Sequence, residues 1–259
     1  QIGDWVDTEN ESNTLIAQRI TNKTDRISPT ILRRLRRHYY GQITHIDYQL
    51  GRFLGELKTK GLYDNTAIVI TSDHGEHLGD HRLFAKYTFL ESAARIPIIF
   101  RYPEGVQFSK DDAQKPVLTA DIPITLMEIA GLTLPGDTAG TSLLSLPDNR
   151  LIFGETATSV FATDGQWKYI YYPDGGIEQL FNVLEDPDDL HNLASQEAYK
   201  THITNLKAAL QGYLMKHQRP VVDDEGQFVI TSTTIDADRL RAMNNAAWRG
   251  PLRYGQGYG

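Results

Sequence analysis

The sequence predicts an α/β fold: part of a doubly wound mixed sheet with flanking helices, followed by a small C-terminal subdomain of antiparallel sheet and helix. Over residues 28–132, a long helix, an apolar strand, a polar loop, a second apolar strand and a shorter helix follow one another. This is the element order of a doubly wound sheet. After residue 147, short aromatic and β-branched runs alternate with Gly-rich turns, which predicts an antiparallel meander.

The first predicted element is a helix that begins at Ser28-Pro29, because serine caps helices well and proline suits the first helical position. Apolar residues then recur at spacings of three and four, at Leu32, Leu35, Tyr39, Ile43, Ile46, Leu50, Phe53 and Leu57. This period predicts one long amphipathic helix, which Gly61 ends.

Two strands and a second helix complete the first predicted domain, residues 1–147. The runs AIVITSD (67–73) and RIPIIFRYP (95–103) are rich in β-branched residues, and the first is typical of the interior of a parallel sheet. The stretch ADIPITLMEIAGL (120–132) has the apolar content and length of a three-turn helix.

Residues 148–217 form the second predicted domain, and residues 218–259 form a predicted polar tail that either lies over the surface or is partly disordered. The runs RLIFGETA, SVFATDGQWKYIYYP and IEQLFNVLEDP are separated by Asp-Gly and Gly-Gly turns, and a helix up to His217 closes the domain. The aromatic residues of this region are either core or a platform for a sugar; alternate aromatics on a strand favour core: Trp167, Tyr169, Tyr171 and Tyr172.

Composition excludes several classes of protein. The 259 residues are 40% hydrophobic and 23% charged, which is globular composition. A net charge of −7 argues against a nucleic-acid partner, since a protein that follows phosphates needs a basic surface. No apolar run reaches the length of a membrane span. The chain has no cysteine, which excludes disulfides, thiolate metal sites and a cysteine nucleophile.

The stretch TSDHGEHLGDHRLFAKYTFLE (71–91) concentrates ionisable residues directly behind the first predicted strand. Ligands of open α/β sheets gather at the carboxyl ends of strands, which is where Asp73 and His74 lie. A carboxylate oxygen and an imidazole nitrogen together can hold a divalent cation from one side. Lys86 can fold back toward the anion that such a cation binds, which favours a tetrahedral oxyanion. A helix cap or an ordinary surface loop is the alternative.

Residues 63–103, YDNTAIVITSDHGEHLGDHRLFAKYTFLESAARIPIIFRYP, closely resemble the type I sulfatases, the formylglycine-dependent branch of the alkaline phosphatase superfamily. The helix before this stretch is similar to the family, and so is ATDGQWKYIYYPDGGIEQLFNVLEDPDDLHNLAS (162–195), which resembles its small C-terminal subdomain. The resemblance covers most of residues 33–195. It implies sulfate ester hydrolysis, with aryl or carbohydrate sulfates as substrates.

The resemblance also implies roles for individual residues. Asp73 and His74 match a pair of Ca²⁺ ligands, or ligands of another divalent cation, and Lys86 matches a catalytic lysine that contacts the sulfate. His77 and His81 are candidates for substrate binding, with hydrogen bonds that stabilise the loop as the equal alternative. The matching residues Glu91, Arg95 and Asp47 are interpreted as structural, in a buried Arg–carboxylate network. Family members are periplasmic or secreted.

The chain departs from the family in one large respect. The nucleophile of the family is a formylglycine made from Cys or Ser in a C/S-x-P-x-R motif, and the stretch SLPDNR (145–150) has its arginine one place too late. We therefore treat Ser145 as a decoy. The simplest interpretation is that this chain is the C-terminal half of a sulfatase, that its partner is the N-terminal half with the formylglycine, and that the piece alone is inactive.

Two other functions stay open. A phosphodiesterase or phosphonate monoester hydrolase of the same superfamily shares the Asp-His-Gly-Glu loop and the lysine, and phosphate and sulfate esters are nearly isosteric. A catalytically inactive relative that only binds sulfated glycans is the non-enzymatic alternative. A C/S-x-P-x-R motif in the coding region upstream of Gln1 distinguishes the hydrolase from the inactive relative.

Overall fold

The structure, a computed structural model, describes residues 15, 27–108, 115–133, 136 and 138–232. The helices are α1 (Pro29–Thr59), α2 (Glu91–Ala94), α3 (Asp121–Ile129) and α4 (Lys200–Lys216), with 3₁₀ turns at Asp80–Arg82 and Glu197–Tyr199. The strands are β1 (Ile68–Thr71), β2 (Ile98–Arg101), β3 (Ile152–Glu155), β4 (Val160–Thr163), β5 (Trp167–Tyr172) and β6 (Ile177–Asn182). The predicted mixed α/β class is confirmed.

Helix α1 begins and ends where the sequence predicts. The Ser28 hydroxyl accepts a hydrogen bond from the Ile31 N–H at 3.3 Å, and Gly61 follows the helix with φ of +65°. Only Leu32 of its apolar stripe is buried, however, and the other residues of the stripe are half-buried or exposed. Ile46 is 63% and Phe53 56% exposed. An apolar stripe of this length on a surface is typical of a face that packs against further protein.

Strands β1 and β2 form an antiparallel ribbon, and this corrects the parallel pairing expected for the first of them. Thr71 at the end of β1 is opposite Ile98 at the start of β2. The connection over residues 72–97 therefore leaves and returns at the same end of the ribbon. Two strands joined in this way must run in opposite directions, since a parallel pair needs a crossover to the other end.

The predicted meander is confirmed as a four-stranded antiparallel sheet in the order β3-β4-β5-β6. The Asp164 carboxylate caps the β4–β5 turn by accepting from the Gln166 and Trp167 N–H groups, and Gly165 supplies a φ of +96°. The aromatic residues that the sequence left open are at most 8% exposed, which supports the core interpretation: Trp167, Tyr169, Tyr171 and Tyr172.

The two faces of this sheet pack against different parts of the chain. Helix α4 covers one face through Leu206, Leu210 and Leu214. The other face packs against the connection between β1 and β2, where Leu83 and Leu90 are fully buried and Phe89 stacks on Phe161 at 4.2 Å between ring centroids. The small sheet therefore forms the support on which the connection at the end of β1 rests.

The described part of the predicted tail packs against the small sheet, and its assignment as a tail stays a prediction. Phe228 stacks on Tyr171 at 3.9 Å between ring centroids, and the Tyr171 hydroxyl donates to the Val229 carbonyl. Residues 233–259 of the tail and most of residues 1–26 lie outside the described residues. The domain boundary at residue 147 stays a prediction. None of the helices in the described ranges is long and apolar enough to cross a bilayer.

Candidate active site

The loop of residues 72–97 brings the predicted site residues to one place, at the carboxyl end of β1. Asp73 and His74 come directly after the strand, and Lys86 returns to them from the far part of the loop. The Lys86 Nζ lies 2.5 Å from the His74 Nε2, and the Asp73 Oδ2 lies 3.4 Å from the same nitrogen. The structure thus brings together the three residues that the sequence predicted for cation and anion binding.

The His74 imidazole has a defined orientation. Its Nδ1 lies 2.7 Å from the Gly75 carbonyl oxygen, which can only accept, so Nδ1 carries the proton. In the neutral ring the lone pair is then on Nε2, and this nitrogen faces Asp73 and Lys86. A carbonyl that fixes the tautomer of an imidazole in this way is typical of histidines that ligate metals.

Asp73 is a strongly acidic and accessible carboxylate. Its side chain is 84% exposed, and the His74 N–H donates to its Oδ1 at 3.0 Å. Desolvation, the largest single influence, works to raise the pKa of Asp73, but the electrostatic effect of His74, backbone N–H groups and Lys86 together outweigh it and lower the pKa. The lowered pKa favours the ionised carboxylate, which is the form that binds a divalent cation.

The geometry of this pair fits one shared cation. Two ligands that each bind an ion at about 2.0–2.6 Å lie roughly 3 Å apart when they are adjacent in its coordination shell. The Asp73 Oδ2 and the His74 Nε2 are 3.4 Å apart. No group of three or more His, Asp or Glu side chains arranged for a metal occurs among the described residues. The separation of Asp73 and His74 is therefore compatible with two adjacent ligands of one ion.

The loop that carries Lys86 has an unusual backbone. Five of its non-glycine residues have positive φ, a conformation that costs free energy for residues with a Cβ: Leu78, His81, Arg82, Ala85 and Tyr87. Such strain persists only where the surroundings hold the backbone in place, and it concentrates at functional sites. Part of that support is the Glu76 carboxylate, which accepts from the Leu78 and Ala85 N–H groups at 3.2 and 2.6 Å.

His77 and His81 are inside this loop framework. The His77 ring is fully buried, with Nδ1 at 2.7 Å from the Ser92 hydroxyl and Nε2 at 3.1 Å from the Thr88 hydroxyl. The His81 ring is 1% exposed, and its Nε2 donates to the Asp188 carbonyl at 2.9 Å. These contacts favour the alternative, hydrogen bonds that stabilise the loop, and substrate binding by either histidine stays a prediction.

The network around Glu91 differs from the predicted Arg–carboxylate network. Arg95 is 68% exposed and lies 3.9 Å from Glu91, and Asp47 is exposed on α1. The close partner of Glu91 is Lys168 on β5, at 2.8 Å, and Lys168 also binds Asp189 at 2.6 Å. Sequence reasoning missed Lys168 and Asp189 because they are far from Glu91 in the chain.

Arg36 is a second residue that sequence reasoning missed. Its Nε donates to the Leu78 carbonyl at 2.9 Å, and its guanidinium pairs with Asp80 at 2.6 Å. Leu32, one turn earlier on α1, contacts the loop at Gly79. The only strongly basic run of the sequence, RRLRRHYY (33–40), was the signal that could have indicated this contact.

The decoy interpretation of Ser145 agrees with the structure. Arg150, the arginine that an S-x-P-x-R motif would need, forms two hydrogen bonds of 2.7 Å with Asp121, and both side chains are buried. The same arginine donates to the Pro116 carbonyl. Arg150 is therefore a structural residue of the fold.

The close contact at Gly75 leads to a testable prediction. The Gly75 N–H donates to the Ala93 carbonyl, and a Cβ at Gly75 would overlap the Ser92 carbonyl oxygen. We expect Gly75→Ala to lower the free energy of unfolding by about 1–3 kcal/mol, measured by urea denaturation. Gly51→Ala on α1 is the control, since a Cβ there meets nothing within 4 Å. Equal stability of the two variants would contradict the contact.

Comparison with known proteins adds the family. The family model described as "Sulfatase" matches residues 6–132, a range that contains Asp73, His74 and Lys86. The curated "Arylsulfatase" of Clostridium perfringens is 34% identical over 223 residues, which cover 81% of this chain. The chain belongs to the sulfatase family. It spans about half the length of that relative, since the match covers 46% of it.

Solved structures of sulfatases share the fold. A structure described as a 2-O GAG sulfatase superposes with a TM-score of 0.68 at 22% identity, over 91% of this chain and 54% of that one. The phosphonate monoester hydrolase of Silicibacter pomeroyi gives a TM-score of 0.62 at 22% identity, over 83% of this chain and 52% of that one. At these identities the likeness is one of fold, and it places this sulfatase chain on about half of each structure.

Proposed function

We propose that this chain supplies the cation-binding and sulfate-contacting part of the active site of a sulfate ester hydrolase. The observation that carries the proposal is the convergence of Asp73, His74 and Lys86 at the end of β1, in a chain of the sulfatase family. With a divalent cation held by Asp73 and His74, that cation and the Lys86 ammonium would together create a positively charged point. Such a point suits a tetrahedral oxyanion.

Asp73 and His74 would hold Ca²⁺ or another divalent cation. When bound, the cation supplies Lewis-acid chemistry, because it polarises an oxygen of the ester and offsets the charge that develops there. The residues themselves contribute a fixed orientation. The hydrogen bond from His74 Nδ1 to the Gly75 carbonyl holds the ring, and the lowered pKa of Asp73 keeps its oxygens free of protons.

Lys86 would bind the sulfate group and offset charge on the leaving oxygen. Its ammonium has three donors, and one of them points at the His74 Nε2, the nitrogen that would face the cation. The strained backbone on both sides, Ala85 with φ of +63° and Tyr87 with +88°, fixes the direction from which the lysine approaches. Lys86 and the Asp73–His74 pair would therefore face the same anion.

The nucleophile would come from an N-terminal segment of the same protein. This chain has no cysteine. Its serine candidate is Ser145, but Arg150, the arginine that follows it, is bound to Asp121, so no residue of this sequence fits a formylglycine motif. A formylglycine supplies a hydrated aldehyde as nucleophile. The exposed apolar stripe of α1 and the ribbon residue Ile99, 59% exposed, are surfaces that such a segment would cover.

The experiment that tests the proposal starts from the coding region upstream of Gln1. A C-x-P-x-R or S-x-P-x-R motif there, and turnover of an aryl or carbohydrate sulfate by the full-length protein, are the expected results. Binding of a sulfated glycan without turnover would instead support the alternative of a catalytically inactive relative. Faster turnover of a phenylphosphonate than of the matching aryl sulfate would favour the phosphonate hydrolase. A leader sequence in the same region would support export to the periplasm or secretion.

Cation binding gives a prediction that does not depend on turnover. We expect Ca²⁺ to stabilise the full-length protein by about 2.7 kcal/mol at a concentration of a hundred times its Kd. The measurement is the resulting rise in the midpoint of thermal unfolding. Asp73→Asn should remove most of this shift, because it deletes a ligand charge. Asp224→Asn, a change at an exposed carboxylate in the C-terminal segment, is the control. Equal shifts in the two variants would exclude Asp73 as a ligand.

A further inference from the structure

A buried charged cluster connects the small sheet to the active-site loop. Lys168 on β5 is 2% exposed, and its ammonium binds the Glu91 carboxylate at 2.8 Å and the Asp189 carboxylate at 2.6 Å. The same Asp189 oxygen accepts from the Glu91 N–H at 2.6 Å. Glu91 begins α2, the short helix that ends the loop. Both the side chain and the backbone of this helix start are therefore held by the small sheet.

Helix α2 in turn holds the residues beside the candidate cation ligands. The Ser92 hydroxyl lies 2.7 Å from the His77 Nδ1, and the Ala93 carbonyl accepts from the Gly75 N–H at 2.8 Å. The Gly75 carbonyl accepts from His74. Hydrogen bonds joined by short stretches of backbone thus run from Lys168 to the ring that faces Lys86, and each hydrogen bond joins residues that are at least half-buried.

The composition of the cluster is costly for the fold. Two carboxylates share one ammonium, and burial raises the pKa of Asp189 to about 6, against the lowering effect of Lys168. The charged groups that face Asp189 are Lys168 from β5 and Glu91 from α2. A buried ion pair often adds no stability over apolar residues of the same size, so a role in fixing one geometry accounts better for this cluster than a gain in stability does.

We propose that Lys168 and Asp189 are positioning residues for sulfate ester hydrolysis, which act through Glu91 and α2 to hold His74 and Lys86 in their relative places. The proposal rests on the proposed function. It assigns to the small sheet a part in the active site, although none of its strands carries a residue that faces the cation or the sulfate. A displacement of about 1 Å at a reacting group costs on the order of 10²-fold in rate.

The test compares two lysines that form ion pairs on opposite faces of the same sheet, Lys168 on β5 and Lys207 on α4. Lys168→Met removes the connection to α2, whereas Lys207→Met removes a 2.6 Å ion pair with Glu178 on the face covered by α4. In the full-length protein we expect Lys168→Met to lower kcat by about 10²-fold with little change in KM, and Lys207→Met to leave both unchanged. Lys168→Arg, which keeps the charge, should recover much of the loss.

A second pair of measurements separates positioning from loss of folding. Lys168→Met combined with Asp189→Asn leaves no unpaired charge at residue 189, keeps an acceptor for the Glu91 N–H and suits the φ of +54° there, so this variant should fold, yet we expect its kcat to stay low. Wild-type kcat in a folded double variant would overturn the proposal. Amide hydrogen exchange over residues 74–94 should rise about tenfold or more in Lys168→Met and not in Lys207→Met. This measurement tests the connection even if the protein hydrolyses no sulfate ester. Unchanged hydrogen exchange in Lys168→Met would also overturn the proposal.

Discussion

Lys86→Ala in the full-length protein is expected to lower kcat/KM for an aryl sulfate by about 10²–10³-fold, the usual cost of removing one donor that stabilises a developing oxyanion. The physical reason is that the ammonium is the one side-chain cation that the structure brings to the His74 Nε2 among the described residues, at 2.5 Å. A steady-state assay at saturating Ca²⁺ measures the effect. Most of the loss should appear in kcat, because the lysine is expected to act on charge that develops during the reaction.

Arg82→Ala is the matched control for this prediction. Arg82 is an exposed residue of the same loop, it carries the same unit of charge, and it also has a positive φ, of 55°. Its loss changes the net charge of the loop as much as the loss of Lys86 does. Equal effects of the two substitutions would mean that Lys86 acts only through the general electrostatic field, and unchanged turnover in Lys86→Ala would remove it from the site.

Arg150→Met is expected to lower the free energy of unfolding by about 3–5 kcal/mol, the usual cost of removing one partner of a buried ion pair. The substitution leaves the fully buried Asp121 carboxylate without the two 2.7 Å hydrogen bonds from the guanidinium. The remaining donors, the N–H groups of Leu118 and Thr141, offset only part of the burial cost of the charge. Urea denaturation of the chain measures the loss.

Lys200→Met provides the comparison for the buried pair. Lys200 pairs with Glu197 at 3.1 Å, but the two side chains are 69% and 84% exposed. Exposed pairs contribute about 0–1 kcal/mol, so this variant should unfold close to the wild type. If Arg150→Met is as stable as Lys200→Met, the Arg150–Asp121 pair does not hold the chain together. Arg150→Met combined with Asp121→Leu should recover part of the loss, because it removes the unpaired carboxylate.

Local sequence patterns predicted the elements well because short-range physics determines them. The Ser28-Pro29 start and the Gly61 end of α1 follow from capping and backbone freedom, and both are present in the structure. The Asp164-Gly165 turn between β4 and β5 follows from turn chemistry. The parallel pairing expected for β1 was wrong, because an apolar β-branched run carries no information about which strand lies beside it.

The candidate site was predicted in part for a similar reason. Asp73, His74 and Lys86 are close in sequence and follow one strand, so their convergence required only that the loop turn back. The placement of His77 was harder to predict. Whether a histidine in a polar loop faces solvent or packs inward depends on what lies behind the loop, here the Ser92 and Thr88 hydroxyls.

Local sequence patterns were enough to predict the α/β class, the meander, the bounds of α1 and the grouping of Asp73, His74 and Lys86 behind one strand, because each depends on neighbours within a few turns of chain. Only the tertiary structure decided the antiparallel ribbon, the buried positions of His77 and His81, and the Lys168–Glu91–Asp189 cluster. Glu91 and Asp189 are 98 residues apart. Contacts over such separations depend on how whole elements pack, and a local pattern of charge and hydropathy does not specify that.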